Sequence, residues 1–576
     1  MNFSLHWRAL SLGLLLSGGA GFASAVVARP AVAPVVRAAP VAQRPGHAGI
    51  ASANFLATRA GLEVLRKGGN AFDAAIAVAS TLSVVEPESS GIGGGFMAVL
   101  HRAADGRNVF IDARETAPAA VDSKDYLKPD GSPNRETSLT GPLSAGIPGE
   151  PAGLVLIAKR YGRLSLQQSL APAIRIARDG FQPDPRLHGS IAEEQKVLAR
   201  WPASAAKYLV NGQPPAAGAT WRDPDQARTL ELIAQHGDGG FYRGETARKL
   251  IDAVRAAGGN WTMADLAGYQ AKERTPIGVD YHGYKIITAP PPSSGGVAIA
   301  EILNILSGYD LAKMDQVQRV HYVVEAMRRA FRDHNDYLGD PDFVKMPLDM
   351  LLSPYYADGL RQSILSDRAT PSSMLPRAEP ADAGMHTTHF SIIDADGNMA
   401  AVTLTVNTIL GSKFVAAGTG VLLNNEMDDF ALVPNKPNVY GLLGSKANAP
   451  VGGKRMLSSM SPSIVIGPER TMVIGSPGGS TIITQVLEGM LHFIDGENAQ
   501  QIVAHRRFHH QYLPDVVMVE PGMFDPATSA ALEKMGYTLK QREPWGFMNV
   551  VTWDRKTNQL DAASDPRRPS GLGEVQ

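Results

Sequence analysis

The chain has 576 residues and no cysteine. Its possible nucleophiles and general bases are therefore Ser, Thr, His, Asp, Glu and Lys, and disulfides and thiolate metal sites are excluded. Adjacent threonines, Thr387 and Thr388, open a β-prone run that reaches Ile393, and a second run from Met399 to Val406 follows the turn-like Asp394-Ala395-Asp396-Gly397-Asn398. A hairpin centred on Asp396-Gly397 places Thr387 opposite residues 405 to 407, so Thr405 and Asn407 become its neighbours on geometry alone. Further along, Ser476-Pro477-Gly478-Gly479 joins a predicted strand to a predicted helix. A glycine pair there leaves backbone N–H groups uncovered at a helix N-terminus, a corner suited to holding a negative oxygen.

Taken singly, these features have plain readings. A Thr-Thr pair in a strand is more often a solvated β face than a nucleophile, and an arginine at a strand end, such as Arg114, is usually a surface or ion-pair residue. Ser458-Ser459 reads as turn hydroxyls and Asp428-Asp429 as a helix cap. His386, His389, His509 and His510 lack HExxH or clustered metal-ligand spacing, so no metal or other cofactor is expected. Gly91-Ile92-Gly93-Gly94-Gly95 has Phe96 where a GxGxxG pattern needs glycine, and it reads as a tight turn in the core.

The elements that must position these residues alternate between helix and strand. Ala57 to Lys67 reads as a helix closed by Gly68-Gly69, and Phe72 to Val85 as a buried helix stopped near Glu86-Pro87. Phe96 to Arg102 and Asn108 to Arg114 form a predicted hairpin about Asp105-Gly106. Several helices separated by Pro/Gly loops follow between about 168 and 332, and a polar connector over 363 to 383 precedes the change to β pattern at Thr387. Ser461 to Ile466 and Thr471 to Gly475 make another strand pair, and apolar residues at helical spacing mark a helix over Ser480 to Ile494.

The N-terminus differs from the rest. Arg8, the apolar run Leu10 to Phe22 and Ala23-Ser24-Ala25 fit a cleavable signal peptide over residues 1–25, followed by a flexible lead-in over 26–46. A membrane anchor is the alternative, but the run is interrupted by Ser and Gly and is short for about 30 Å of hydrocarbon. No stable membrane span is expected after cleavage, and the location would be periplasmic or secreted. With 44% apolar residues, 19% charged residues and a net charge of −1, the chain is globular and offers no electrostatic attraction to nucleic acid.

Five motifs occur in one order: Asp112-Ala113-Arg114-Glu115-Thr116-Ala117-Pro118, Thr387-Thr388-His389-Phe390-Ser391, Leu423-Asn424-Asn425-Glu426-Met427-Asp428-Asp429-Phe430, Leu457-Ser458-Ser459-Met460-Ser461-Pro462 and Gly475-Ser476-Pro477-Gly478-Gly479. With them the chain resembles the γ-glutamyltransferases of the N-terminal nucleophile hydrolase group, from about His47 to about Gly571. The resemblance implies a mixed α/β (α+β) fold, a four-layer αββα sandwich built by a large subunit (47–386) and a small one (387–576). The precursor would cut itself between His386 and Thr387. Only then does Thr387 acquire a free α-amino group to serve as general base.

The resemblance also implies roles. Thr387 would be the nucleophile and Thr405 its hydrogen-bonding partner, with Gly478 and Gly479 as the oxyanion hole. Arg114, Ser458 and Ser459 would take the substrate α-carboxylate, and Asn407, Glu426 and Asp429 its ammonium. Tyr440 would belong to a lid over Ala431 to Gly444. Thr387 would form a γ-glutamyl ester from glutathione or a related amide and pass it to an amino acid, a peptide or water. Two rivals stand beside this: a cephalosporin (glutaryl) acylase-like amidase, and an unprocessed exported binding protein.

Overall fold

The computed structural model describes residues 43–375, 387–434 and 436–576. The expected signal peptide, nearly all of the lead-in and His386 lie outside the described residues. Two large sheets use strands β1 (Gly49–Ser52), β2 (Gly95–Arg102), β3 (Arg107–Ala113), β4 (Lys272–Arg274), β5 (Ile277–Tyr281), β6 (Tyr284–Thr288), β7 (Thr388–Ile393), β8 (Met399–Thr405), β9 (Ser463–Ile466), β10 (Arg470–Gly475), β11 (Asn549–Asp554), β12 (Gln559–Ser564) and β13 (Leu572–Val575). The first sheet runs β13-β1-β7-β8-β2-β3-β4 and the second β12-β11-β10-β9-β6-β5, and every neighbouring pair in both is antiparallel.

Side chains of a strand alternate between faces, and here both faces are covered. In β2, Met97 and Val99 point into the core shared with the second sheet, where they join Met472, Ile474 and Val550. Phe96, Ala98 and Leu100 point the other way, toward a helical layer that includes α1 (Phe55–Arg66), α2 (Ala71–Val85) and α3 (Leu166–Asp179). The outer face of the second sheet is covered by α4 (Gly295–Leu306), α5 (Gln316–Tyr337) and α6 (Thr481–Ile494). The result is a mixed α/β sandwich of helix, sheet, sheet and helix, the N-terminal nucleophile hydrolase type of architecture.

Local chemistry explains the element ends near the site. Helix α2 starts from a capping box in which Asn70 accepts from Asp73 N (3.1 Å) and Asp73 accepts from Asn70 N (2.9 Å). The Gly91–Gly95 segment is a turn in the core: a Cβ on Gly93 would lie 2.0 Å from the Leu422 carbonyl oxygen, and one on Gly94 2.1 Å from that of Thr405. Only glycine lets these backbones approach so closely.

Candidate active site

The β7–β8 ladder pairs Thr388 with Leu404 and His389 with Thr403, so the next rung outward is Thr387 with Thr405. Thr387 Oγ1 and Thr405 Oγ1 are 3.4 Å apart, and both residues are buried. The period of two then puts His389, Ser391, Thr403 and Thr405 on the face turned to the second sheet. His389 Nδ1 meets Thr403 Oγ1 at 2.8 Å and its Nε2 meets Ser391 Oγ at 3.1 Å. Burial pushes the His389 imidazole down to about 3, so it is neutral and acts as a polar strut. Gly475 makes room for it, since a Cβ there would lie 2.2 Å from His389 Cε1.

Asn407 follows β8 in the left-handed region (φ 76°), a conformation asparagine tolerates better than most residues. Its N–H donates to Thr405 Oγ1 (2.8 Å), and its Nδ2 donates to the Asn425 carbonyl (3.0 Å). Thr405 therefore accepts from the backbone while its hydroxyl faces Thr387.

Beyond Gly475 the chain turns through Ser476-Pro477-Gly478-Gly479 into α6, with Gly478 at φ 141° and Gly479 at φ 57°. Among the described residues neither glycine N–H donates a hydrogen bond to the protein. Gln485, one turn into α6, holds this corner: its Oε1 accepts from Ser476 Oγ (2.7 Å), and its Nε2 donates to the Pro477 carbonyl and to Thr481 Oγ1 (both 2.9 Å).

Arg114, one residue past β3, reaches into the same cavity as Thr387. Its Nη1 lies 2.7 Å from Glu426 and 3.5 Å from Glu115, and its Nη2 lies 2.5 Å from Asp429. The remaining N–H groups donate to the Met456 and Leu457 carbonyls, both at 3.3 Å. One guanidinium thus faces three carboxylates, two of them buried and that of Asp429 half-buried. Burial is the main cause that raises Asp429 to about 6 and Glu115 to about 7, and it holds Glu426 well above the carboxylate range. For Arg114 burial works against the charge, but Glu426, Glu115 and Asp429 outweigh it and keep the cation. A group that brings a positive charge would relieve this surplus of acid.

Ser458 and Ser459 line the cavity beside Leu457. Ser458 Oγ accepts from Met460 N (3.1 Å), while its backbone is clamped by Pro292 and Ser294. The segment Ala431 to Gly444 folds over the opening. Tyr440 is buried, and its hydroxyl donates to the Asn407 carbonyl at 2.8 Å and also contacts Asn407 Oδ1. Its ring lies on Gly479, where a Cβ would come within 2.4 Å of Tyr440 Cδ1.

All the expected site residues within the described chain line this cavity except Gly478, which lines a neighbouring cavity that Thr387 also lines. Several partners were not expected from sequence. Asp428, read above as a helix cap, lies in a single 3-10 turn, accepts from Ser138 Oγ (2.6 Å) and Val439 N (2.8 Å), and pairs with Arg135. Asn448 ties the Asp429 carbonyl (2.7 Å) to Leu457 N (3.0 Å). No local pattern marks Asn448 or Gln485; only the fold brings them in. His509 bonds Thr484 and Gln511, and His510 bonds Asp515. On another surface, ligand atoms of His492, Glu497 and His505 lie within 4.8 Å of one another, with Glu497 bonded to both rings.

Comparison with known proteins supplies the context for this geometry. The family model for gamma-glutamyltranspeptidase matches residues 57–575. The chain belongs to the γ-glutamyltranspeptidase family. A glutathione hydrolase proenzyme of Pseudomonas sp. (strain A14) is 44% identical over 91% of this chain and 93% of its own. That of Escherichia coli (strain K12) is 40% identical over 98% of both. Among solved structures, cephalosporin acylase from Bacillus halodurans superposes with a TM-score of 0.80 at 29% identity, covering 95% of this chain and 99% of its own. For this γ-glutamyltranspeptidase-family member the hydrolase likeness is higher in identity. Among the described residues, no helix is long and apolar enough to cross a membrane.

Proposed function

We propose that Thr387 is the nucleophile of an autoprocessed γ-glutamyltransferase/glutathione hydrolase. Cleavage of the His386–Thr387 bond would expose the α-amino group of Thr387. That amine takes the proton as Oγ1 attacks the γ-carbonyl, and the amide nitrogen leaves with a proton. Water or an amine then opens the γ-glutamyl ester and Thr387 recovers its hydroxyl proton. Gly478 and Gly479 offer their N–H groups to the oxyanion, and the 3.4 Å contact with Thr405 orients the attacking hydroxyl.

The observation that carries the substrate class is the cluster of buried Arg114 and Glu426 with half-buried Asp429 in the cavity that Thr387 lines. A glutamyl α-carbon bears one anion and one cation. Entering between Arg114 and Asp429, it exchanges one internal ion pair for two, its carboxylate on Arg114 with Ser458 and Ser459 and its ammonium on Asp429, Glu426 and Asn407. A glutaryl chain has no ammonium to offer these acids, which favours the γ-glutamyl reading over the acylase one.

The proposed mature form is a pair of chains, about 26–386 (its lead-in 26–46 included) and 387–576, in the periplasm or outside the cell. Electrophoresis of purified protein tests maturation: two fragments are expected from the wild type and one uncut chain from Thr387→Ala. Turnover of glutathione against a glutaryl amide tests the substrate, and faster turnover of the glutaryl compound would overturn it.

A further inference from the structure

Thr387 lines two cavities. One holds the Arg114 cluster; the other opens beside Pro477 and Gly478 and is walled by Arg186, Glu193, Trp545 and Phe547. Arg186 lies in the helix Pro185–Glu193, whose first turn is capped by Asp184 accepting from Leu187 N at 2.8 Å. Its guanidinium sits 4.6 Å over the Phe547 ring and 3.7 Å from Glu88. Glu88 is already engaged by Arg568 at 3.1 Å.

Among the described residues, Arg186 donates no hydrogen bond, although its side chain is only 26% exposed. A guanidinium carries five donors in a planar fork that matches a carboxylate. Here that fork is stacked on an aromatic ring, with its Nε turned to Glu88 and its terminal N–H groups making no hydrogen bond among the described residues, in a cavity that reaches the nucleophile. The other charged side chain on this wall, Glu193, is exposed and pairs with no residue described.

We propose that this second cavity is the subsite for the amine partner of the reaction, an amino acid or short peptide whose free carboxylate is held by Arg186. The proposal rests on the reading of Thr387 as the acyl-bearing residue. When the amide C–N bond breaks, the nitrogen takes a proton from the Thr387 ammonium and departs on the side away from the glutamyl group. In transfer, a neutral amine attacks the ester carbonyl, the bond to Thr387 Oγ1 breaks, and the amine proton passes through the Thr387 amino group to the hydroxyl. Both directions run through the same tetrahedral arrangement, so one subsite serves the leaving and the entering amine.

The test compares two donors: glutathione, whose leaving group carries a carboxylate, and γ-glutamyl-p-nitroanilide, whose leaving group does not. In Arg186→Gln the ratio of kcat/KM for glutathione to that for the nitroanilide is expected to fall about tenfold, as for loss of a charge-assisted hydrogen bond. Arg186→Lys should recover part of the ratio. An unchanged ratio, with both donors retained or both lost alike, overturns the subsite. The wild-type enzyme gives a reading independent of any variant's folding: glycylglycine should accelerate nitroanilide release with a KM about tenfold below that of glycylglycinamide, and equal values overturn the proposal. Failure of the wild type to turn over either donor would instead remove the acyl-enzyme reading itself.

Discussion

Thr387 Oγ1 and Thr405 Oγ1 face each other at 3.4 Å on the rung just beyond the β7–β8 ladder, and Thr405 is fixed there by the N–H of Asn407 at 2.8 Å. The second hydroxyl thus has its lone pair partly committed to the backbone, and its rotation is restrained before any substrate arrives. Replacing it with the isosteric Thr405→Val removes the polar contact and keeps the shape. A neutral hydrogen bond of about 1 kcal/mol corresponds to about fivefold, so kcat should fall by at least that much with donor KM nearly constant. A KM effect without a kcat effect would assign Thr405 to binding.

Arg114→Ala leaves buried Glu426 and Glu115 and half-buried Asp429 without their common cation. Breaking a buried pair on one side costs about 3–5 kcal/mol, which should appear as a clear drop in the denaturant midpoint. Processing is expected to continue, because the hydrogen bonds and ion pairs of Arg114 among the described residues go to other residues than Thr387, while donor kcat/KM collapses. An uncut Arg114→Ala chain would place the arginine in folding instead.

The raised carboxylates set a pH dependence. Asp429 titrates at about 6, and its ionised form is the one that attracts an ammonium. Donor kcat/KM should therefore rise as pH increases through about 6, and Asp429→Asn should lose that limb. Stability runs the other way. Between the unfolded value near 4 and the folded values of about 6 for Asp429 and about 7 for Glu115, the native state holds protons that the unfolded chain releases. Their contribution declines as pH rises through this window, and a flatter stability profile is expected for Asp429→Asn in urea titrations.

Gly546 backs the oxyanion corner from behind. A Cβ there would lie 1.7 Å from Gln485 Oε1, at a φ of +72°. Gly546→Ala must displace Gln485, and with it Ser476, Pro477 and Thr481. Misaligned oxyanion donors lower turnover more than affinity, so kcat should fall by about 10-fold or more while KM changes little. An equal loss in kcat and stability without that kinetic split would mean a general packing defect.

The hairpin around Thr387 was legible because strand pairing is arithmetic: a turn at Asp396-Gly397 and a period of two identify the partner rung within a residue or two. Helices α1 and α2 were legible with their glycine and proline stops, and α6 from its apolar spacing. The contacts that make the site a site were not. Arg114 meets Asp429 across 315 positions of sequence, and Tyr440 covers Gly479 from a segment with no regular period. Both depend on how the two sheets stack, which local pattern does not encode. The family resemblance had placed Arg114 on the substrate carboxylate; the geometry adds that the same guanidinium already neutralises the acids meant for the ammonium.

The order β13-β1-β7-β8-β2-β3-β4 has a consequence for a chain cut before Thr387. Strands from the two sides of the cut alternate at the sheet edge, with β1 clasped between β13 and β7. The fragments would be woven together and could not drift apart on dilution without unzipping the four ladders that join them, β13–β1, β1–β7, β8–β2 and β9–β6. Unfolded, however, they would have lost the tether that first guided them into register. Assembly would be a one-time event in the life of each molecule, and a denatured mature sample should recover activity with a yield that depends on protein concentration, unlike the uncut Thr387→Ala chain.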